Sequence, residues 1–283
     1  MTNILTYPGI ALCKLQTLVR LWLHLPPPLV KSELLGQTYT VRKGTLRAKA
    51  DYDDAWLFTL AQDANTVIDI GANIGQAAFL ILQSQSVKSI VLVEANPEAL
   101  SLAADNLIRN QLSRRAIFIC AFASERAENT VDFWTVGSGA AGSMFQGHAK
   151  TASKKEAHFK IHTVTIDDLC SELAIEPDLI KIDVEGAESR VLTGSGRIAE
   201  QQQTRFFVEM HSPPELPMAQ NANLILDWCR QYSYTAWYLK DHAQLTSADQ
   251  IAHRGRCHLL LQPATWPYPE KLKSIQQSAP ISL

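Results

Sequence analysis

The sequence predicts an α/β fold: a doubly wound, mostly parallel sheet covered by helices on both faces, plus an N-terminal helical and hairpin extension. Three observations predict it. Apolar β-type runs alternate with helical segments between Thr66 and His211. Two glycines, Gly71 and Gly75, follow the first of those runs. Acidic residues recur where the runs end, which is where ligands bind in open sheets of this kind.

Each element has its own signal. The stretch "ILTYPGIALCKLQTLVRLWLHLPPPLV" is apolar but interrupted by Lys14, Arg20 and His24. It lacks the basic start and cleavage site of a signal peptide and is too broken to span a bilayer. Leu15, Leu18, Val19 and Trp22 recur at helical spacing, so an amphipathic helix is expected, ended by Pro26, Pro27 and Pro28. Its apolar face is expected to dock on the main domain or on a second copy in a homo-oligomer; membrane-surface contact is the alternative. A short hairpin is expected between Gly36 and Asp54, then a helix from Asp54.

"TVIDI" (66–70) reads as the first strand, followed by a helix at "AAFLILQS". "SIVLVEA" (89–95) is the second. Asn96, Pro97 and Glu98 then suit a helix start: Asn as N-cap, Pro in the first turn, Glu near the positive end. "AIFICAFAS" (116–124), "DLIKIDV" (178–184) and "RFFVEMH" (205–211) are further strands. A helix from Gly186 to near Gly194 and another near "NLILDWC" separate them. "YTAWYLK" (234–240) and "CHLLLQ" (257–262) are expected to close the sheet as an antiparallel pair. The Pro-rich tail from Pro263 is expected to be loosely held. The chain thus divides into an extension (1–50), a main domain (51–265) and a tail (266–283).

Composition narrows the function. The 283 residues are 46% hydrophobic, enough for one large core or a core with an appendage. A formal net charge of −2 offers no footprint for nucleic acid; Arg114–Arg115 and Lys154–Lys155 read as solvated surface. Cys13, Cys120, Cys170, Cys229 and Cys257 show no C-x-x-C spacing. That usage fits a reducing compartment, so a cytoplasmic location is expected. Cys120, inside an apolar run, is expected to pack as a small hydrophobe.

Asp69, Glu94, Asp183, Glu185 and Glu209 all fall at or near ends of apolar strands. Carboxylates there are costly unless they bind something, which points to a ligand crevice. Gly71 permits a positive φ, and Gly75 lets a helix start close to strand or ligand. Glu94 ends the second strand, where a nucleotide-binding domain places the acid that holds ribose hydroxyls. The dinucleotide fingerprint G-x-G-x-x-G is incomplete, because its middle glycine is Asn73. Asp69 would repel a pyrophosphate and favour a cation. S-adenosylmethionine, with its sulfonium and ammonium, is therefore favoured over NAD.

At these residues the chain resembles the FkbM family of S-adenosylmethionine-dependent methyltransferases. The resemblance rests on "VIDIGANIG", "VLVEANPEAL", "TVTIDDL", "DLIKIDVEGAESRVLTG" and "FFVEMH", in that order. "KIDVEGAE" is the most specific of them. Residues 1–35 and 131–160 lie outside it, and such parts commonly shape the acceptor pocket. The resemblance implies a class I methyltransferase fold, with seven strands and one reversed, and O-methylation of a hydroxyl on a small molecule, sugar or natural product. It implies that Asp69, Gly71, Asn73 and Gly75 surround the methionine part. Glu94, with Ala95 and Asn96 beside it, would hold the ribose; Ala121 and Phe122 would flank the adenine. Asp183 and Glu185 would face the transferring methyl group and the acceptor.

An alcohol acceptor must lose its proton as the new bond forms. The candidate bases are Asp183, Glu185, Glu209 and His211. No metal is expected, although Asp183, Glu209 and His211 could form a divalent site. "VGSGAAGSMF" reads either as a loop that closes over the donor or as plain surface. His148, His158 and His162 have no recognisable spacing. Competing readings are N- or carboxyl-methylation, an NAD-dependent oxidoreductase, and a silent binding module.

Overall fold

The computed structural model describes residues 26–47, 49, 53–127, 129–135, 142–145 and 157–281. The expected N-terminal helix, His148 and residues 136–141 of the glycine loop lie outside them.

Strands β1 (Leu29–Leu34) and β2 (Gln37–Arg42) form an antiparallel hairpin. Its turn is Leu35-Gly36, both with positive φ, 49° and 73°. That tight turn suits the twist of two strands and places the hairpin astride Gly36, earlier than expected. Helix α1 (Asp54–Ala61) begins where expected and is nearly all buried.

The alternation then runs β3 (Thr66–Ile70), α2 (Gln76–Leu82), β4 (Ser89–Glu94), α3 (Pro97–Arg109) and β5 (Ala116–Cys120). The Asn96 side chain caps α3, accepting from the N–H groups of Glu98 and Ala99. The hairpin is docked on this helix: the Arg42 N–H donates to Asn106 Oδ1 (2.8 Å), and the Arg42 guanidinium lies 2.6 Å from Asp105.

The expected strand 116–124 is broken. Ala121 leaves the main sheet, and β6 (Phe122–Ala123) joins a smaller sheet with β7 (Thr130–Trp134) and β8 (His158–Val164). The apolar run continues across the break, from the half-buried and exposed residues of β5 into the buried β6, so hydropathy does not mark it. Cys120 is exposed, at the free edge of the main sheet, and is not the packed hydrophobe expected.

Next come α4 (Ile166–Leu173), β9 (Leu179–Ile182), α5 (Glu188–Thr193), α6 (Gly196–Glu200), β10 (Arg205–His211) and α7 (Met218–Tyr232). The chain closes with β11 (Tyr234–Tyr238), β12 (Ala243–Gln244) and β13 (Arg256–Pro263). The main sheet has the order β12-β11-β13-β10-β9-β3-β4-β5. β5, β4, β3, β9 and β10 are parallel, and β13 inserts antiparallel between β10 and β11. This is the expected class I methyltransferase sheet, seven strands with one reversed, with the two-residue β12 added at the edge.

The sheet separates two cores. Ile68, Ile180 and Phe206 belong to one face; Val67, Leu179 and Phe207 belong to the other. Strand order turns back between β3 and β9, which opens the crevice of a doubly wound sheet. The tail is held, contrary to expectation: Leu272 is buried and the indole of Trp56 donates to the Ile275 carbonyl (3.0 Å). No helix among the described residues is long and apolar enough to cross a membrane.

Candidate active site

A crevice of about 540 Å³ opens at the carboxyl ends of β3, β4 and β9. Its floor is backbone. Gly71 has φ +79°, and a Cβ there would sit 1.8 Å from the Asp183 carbonyl oxygen. Only glycine lets the two strand ends approach this closely. The N–H groups of Gly71 and Ala72 both donate to the Val93 carbonyl, which fixes the turn.

Glu94 stands at one side, held by two backbone amides. The Asn73 N–H donates to Oε2 (2.8 Å) and the Asn96 N–H to Oε1 (2.7 Å). Burial pushes its carboxyl up, and those two hydrogen bonds oppose the rise. Ala95, Ala99, Ala121, Phe122, Ala123 and Phe133 form an apolar slot beyond it. Asn73, Asn96, Gly142, Asp183 and Glu185 complete the wall with Ile70, Val93 and Val184.

The crevice thus brings together Gly71, Asn73, Glu94, Ala95, Asn96, Ala121, Phe122, Asp183 and Glu185 of the expected residues. Asp69 and Gly75 are not in its wall. Side chains alternate along a strand: Ile68 and Ile70 face one core, so Asp69 shares the Val67 face and is fully buried beneath the floor. Gly75 starts α2 with φ +86°, and a Cβ there would lie 3.0 Å from Ala103 Cβ. Its role is to let α2 and α3 approach.

Charged side chains gather beside Asp183. His211 Nδ1 lies 3.0 Å from Glu188 Oε1. Its Nε2 lies 3.4 Å from Glu185, 3.6 Å from Glu209 and 4.0 Å from Asp183. Glu188 is fully buried and accepts from the Gly186 N–H (2.8 Å) and from Asn221 Nδ2 (2.9 Å). Burial works against a charged imidazole here. The hydrogen bond to Glu188 and the charges of Glu188, Asp183 and Glu185 overcome it and raise His211 to about 10. His211 is therefore an imidazolium at neutral pH and, in the protein alone, not the free base considered from sequence.

Glu209 is enclosed. Arg256 Nη1 lies 3.0 Å from its Oε1, and His258 Nε2 lies 3.3 Å from its Oε2. Burial and the nearby Asp183 push its carboxyl up, while His258 opposes them. His258 also lies 3.6 Å from Asp53. Glu209 does not line the crevice and helps to hold the cluster. Lys181, on the wholly buried β9, reaches Asp69 (3.4 Å) and Asp183 (3.2 Å). Burial disfavours its charge, but the carboxylates of Asp183 and Asp69 more than reverse that and raise the ammonium above its usual range.

Asp183, Glu209 and His211 do present ligand atoms within 4.8 Å of one another, as do Asp53, Glu209 and His258. Lys181, Arg256 and Glu188 already neutralise or hold the members of the first set.

Over this cluster, Ser143 Oγ donates to the Glu185 carbonyl (2.9 Å) and accepts the Phe145 N–H (3.0 Å). Residues 142–145 of the glycine loop therefore sit against the Glu185 turn. Glu185 and Gly186 have φ +54° and +111°, and a Cβ on Gly186 would lie 2.6 Å from Pro213. His158 and His162 are exposed on β8, away from the crevice wall.

Sequence reading missed Lys181, Glu188, Arg256, His258 and Asp53. Lys181 and His258 did carry a signal, being lone charges inside apolar runs, "LIKI" and "CHLLLQ".

Three carboxylates and no Lys or Arg line the crevice among the described residues. A pyrophosphate would be repelled, whereas a cationic donor is attracted. A fixed carboxylate for ribose, an apolar slot for adenine and a glycine floor for the methionine part suit S-adenosylmethionine.

Comparison with known proteins agrees. The family model "Methyltransferase FkbM domain" matches residues 69–235. The chain is 30% identical over 162 residues to 2-O-methyltransferase NoeI of Sinorhizobium fredii (strain NBRC 101917 / NGR234), spanning 53% of this chain and 64% of that relative. Among solved structures, methyltransferase FkbM from Methylobacillus flagellatus KT is 17% identical, covering 70% of this chain and 44% of that one, with a TM-score of 0.44. M. jannaschii TYW2 in complex with AdoMet is 11% identical, covering 83% and 84%, with a TM-score of 0.41. The match over residues 69–235 spans every residue lining the crevice and Asp183, Glu185, Glu188, Glu209 and His211 of the charged cluster, and the chain belongs to the FkbM family of S-adenosylmethionine-dependent methyltransferases.

Proposed function

We propose that the protein methylates a hydroxyl group of a small molecule, a sugar or natural product, with Asp183 as the group that receives the hydroxyl proton. The observation that carries this reading is the position of Asp183. It lines the donor crevice and also faces the Glu188–His211 pair, with Oδ1 4.0 Å from Nε2. The 30% identical relative, named a 2-O-methyltransferase, supports oxygen as the accepting atom.

S-adenosylmethionine, when bound, supplies an electrophilic methyl group on a sulfonium. The chain supplies position and charge. Glu94, fixed by the Asn73 and Asn96 amides, is set to bind the ribose hydroxyls. Ala121 and Phe122 are set to flank the adenine, and the Gly71 turn with Asn73 to cradle the methionine part. Asp69 acts from below through Lys181. At the acceptor end, the hydroxyl proton passes to an Asp183 carboxylate oxygen as the oxygen–carbon bond forms. The imidazolium of His211, held by Glu188, keeps Asp183, Glu185 and Glu209 together despite their like charge.

The test has two parts. Calorimetry with S-adenosylhomocysteine and with NAD should show binding of the first alone. Labelled methyl transfer to methyl glycosides of common hexoses, with glycine and acetate as other nucleophiles, should give O-methyl products. Labelling of glycine or acetate alone would replace the hydroxyl reading with N- or carboxyl-methylation. Binding of NAD alone would end both.

A further inference from the structure

We propose that Lys181 is a positioning residue: its ammonium, held from below by Asp69, fixes the Asp183 carboxylate at the mouth of the donor crevice. The inference rests on the role given to Asp183 above.

The geometry is specific. β9 lies between β3 and β10, and all four of its residues are buried. In the β3–β9 register Lys181 pairs with Asp69, so both side chains rise from neighbouring strands on one face. Nζ reaches 3.4 Å to Asp69 Oδ1 and 3.2 Å to Asp183 Oδ2. The Lys181 and Asp69 side chains are 6% and 0% exposed, whereas that of Asp183 is 25% exposed and faces the crevice. A charge this deep is expensive unless paired. Asp69 alone would neutralise it. The second, shorter contact goes to the one partner that touches the reaction space.

The arrangement also accounts for Asp69, an acid that ends the first strand without reaching the crevice. It holds Lys181 upright. The ammonium donates a hydrogen bond to Asp183 Oδ2 and keeps an ion-pair contact with Asp69, so one cation bridges both carboxylates. With Lys181 engaged on Oδ2, Oδ1 is the oxygen turned toward His211.

The test compares Lys181→Met with the double variant Asp69→Asn/Lys181→Met. The single variant strands a buried carboxylate and is expected to be destabilised; the double variant removes that orphan. The double variant should melt close to wild type and bind S-adenosylhomocysteine with near wild-type affinity. Its crystal structure should show the Asp183 carboxylate displaced by about 1 Å or more, with methyl transfer to the hexose glycosides reduced about 100-fold or more. The reduction should lie in kcat, not in donor affinity. An Asp183 carboxylate left in its wild-type position would overturn the proposal, whatever the activity. A displaced Asp183 with full methyl transfer would support the positioning by Lys181 and sink Asp183 as the proton acceptor. Absence of transfer by the wild type to any glycoside would count against the acceptor class, and the position of Asp183 would still decide the role of Lys181.

Discussion

The donor half of the crevice, at the ends of β3, β4 and β5, is built largely from backbone; the acceptor half, at the ends of β9 and β10, is built from charged side chains. In the donor half a glycine with positive φ admits the neighbouring carbonyl, and two backbone amides aim one carboxylate. In the acceptor half Asp183, Glu185, Glu188 and Glu209 surround one imidazole, with Lys181, His258 and Arg256 behind them. Backbone geometry is rigid and suits a ligand that every turnover presents alike. A charged cluster stores electrostatic energy and suits a step in which a proton moves. Changes in the first half should therefore act on affinity and folding, and changes in the second on turnover and pH response.

The largest effect is expected at Gly71→Ala. A methyl group 1.8 Å from the Asp183 carbonyl, on a residue with φ +79°, cannot be accommodated without moving β9. A loss above about 4 kcal/mol is expected, read as a collapsed melting transition. A variant that folds normally would show that the floor is softer than a backbone-built site requires.

Asp183→Asn comes next. Turnover should fall by about 10²–10⁴-fold, while S-adenosylhomocysteine affinity stays within about threefold. A large loss of donor affinity instead would move Asp183 into the donor half.

Glu94→Gln should do the reverse. Donor affinity should fall about 10–100-fold through loss of charge-assisted hydrogen bonds, with turnover at saturating donor largely kept. Equal losses in both measurements would erase the contrast between the halves.

The remaining effect is a pH dependence of stability. His211 is raised in the folded protein to about 10, against about 6.5 unfolded. Its contribution is fully present below about pH 6.5 and is lost as pH rises through about 10. Melting temperature should therefore decline between those limits, and Glu188→Gln should move the decline to lower pH. A flat profile across that range would mean that His211 is not held as a cation.

The donor half was legible in the sequence because its parts are contiguous. Gly71 and Asn73 follow one strand, and Glu94, Ala95 and Asn96 follow the next. Asp183 and Glu185 were legible for the same reason, in "KIDVEG". The side chain of Asp69 was misplaced because a strand's period of two turned it to the opposite face. Asp53, Arg256 and His258 were invisible as a group, since β13 returns antiparallel beside β10 and pairs Glu209 with His258. The break at Ala121 was invisible too, because the apolar run continues without interruption from half-exposed β5 into buried β6.

By itself the sequence determined the class of fold, the order of its parallel strands' chemistry and the donor the crevice accepts. These follow from local rules: alternation of strand and helix, glycine where φ is positive, an acid where a strand ends. Only the tertiary structure decided that His211 is a cation and that Lys181 joins Asp69 to Asp183. A buried charge is set by neighbours that strand pairing brings from distant parts of the chain, and pairing is not written in any one segment.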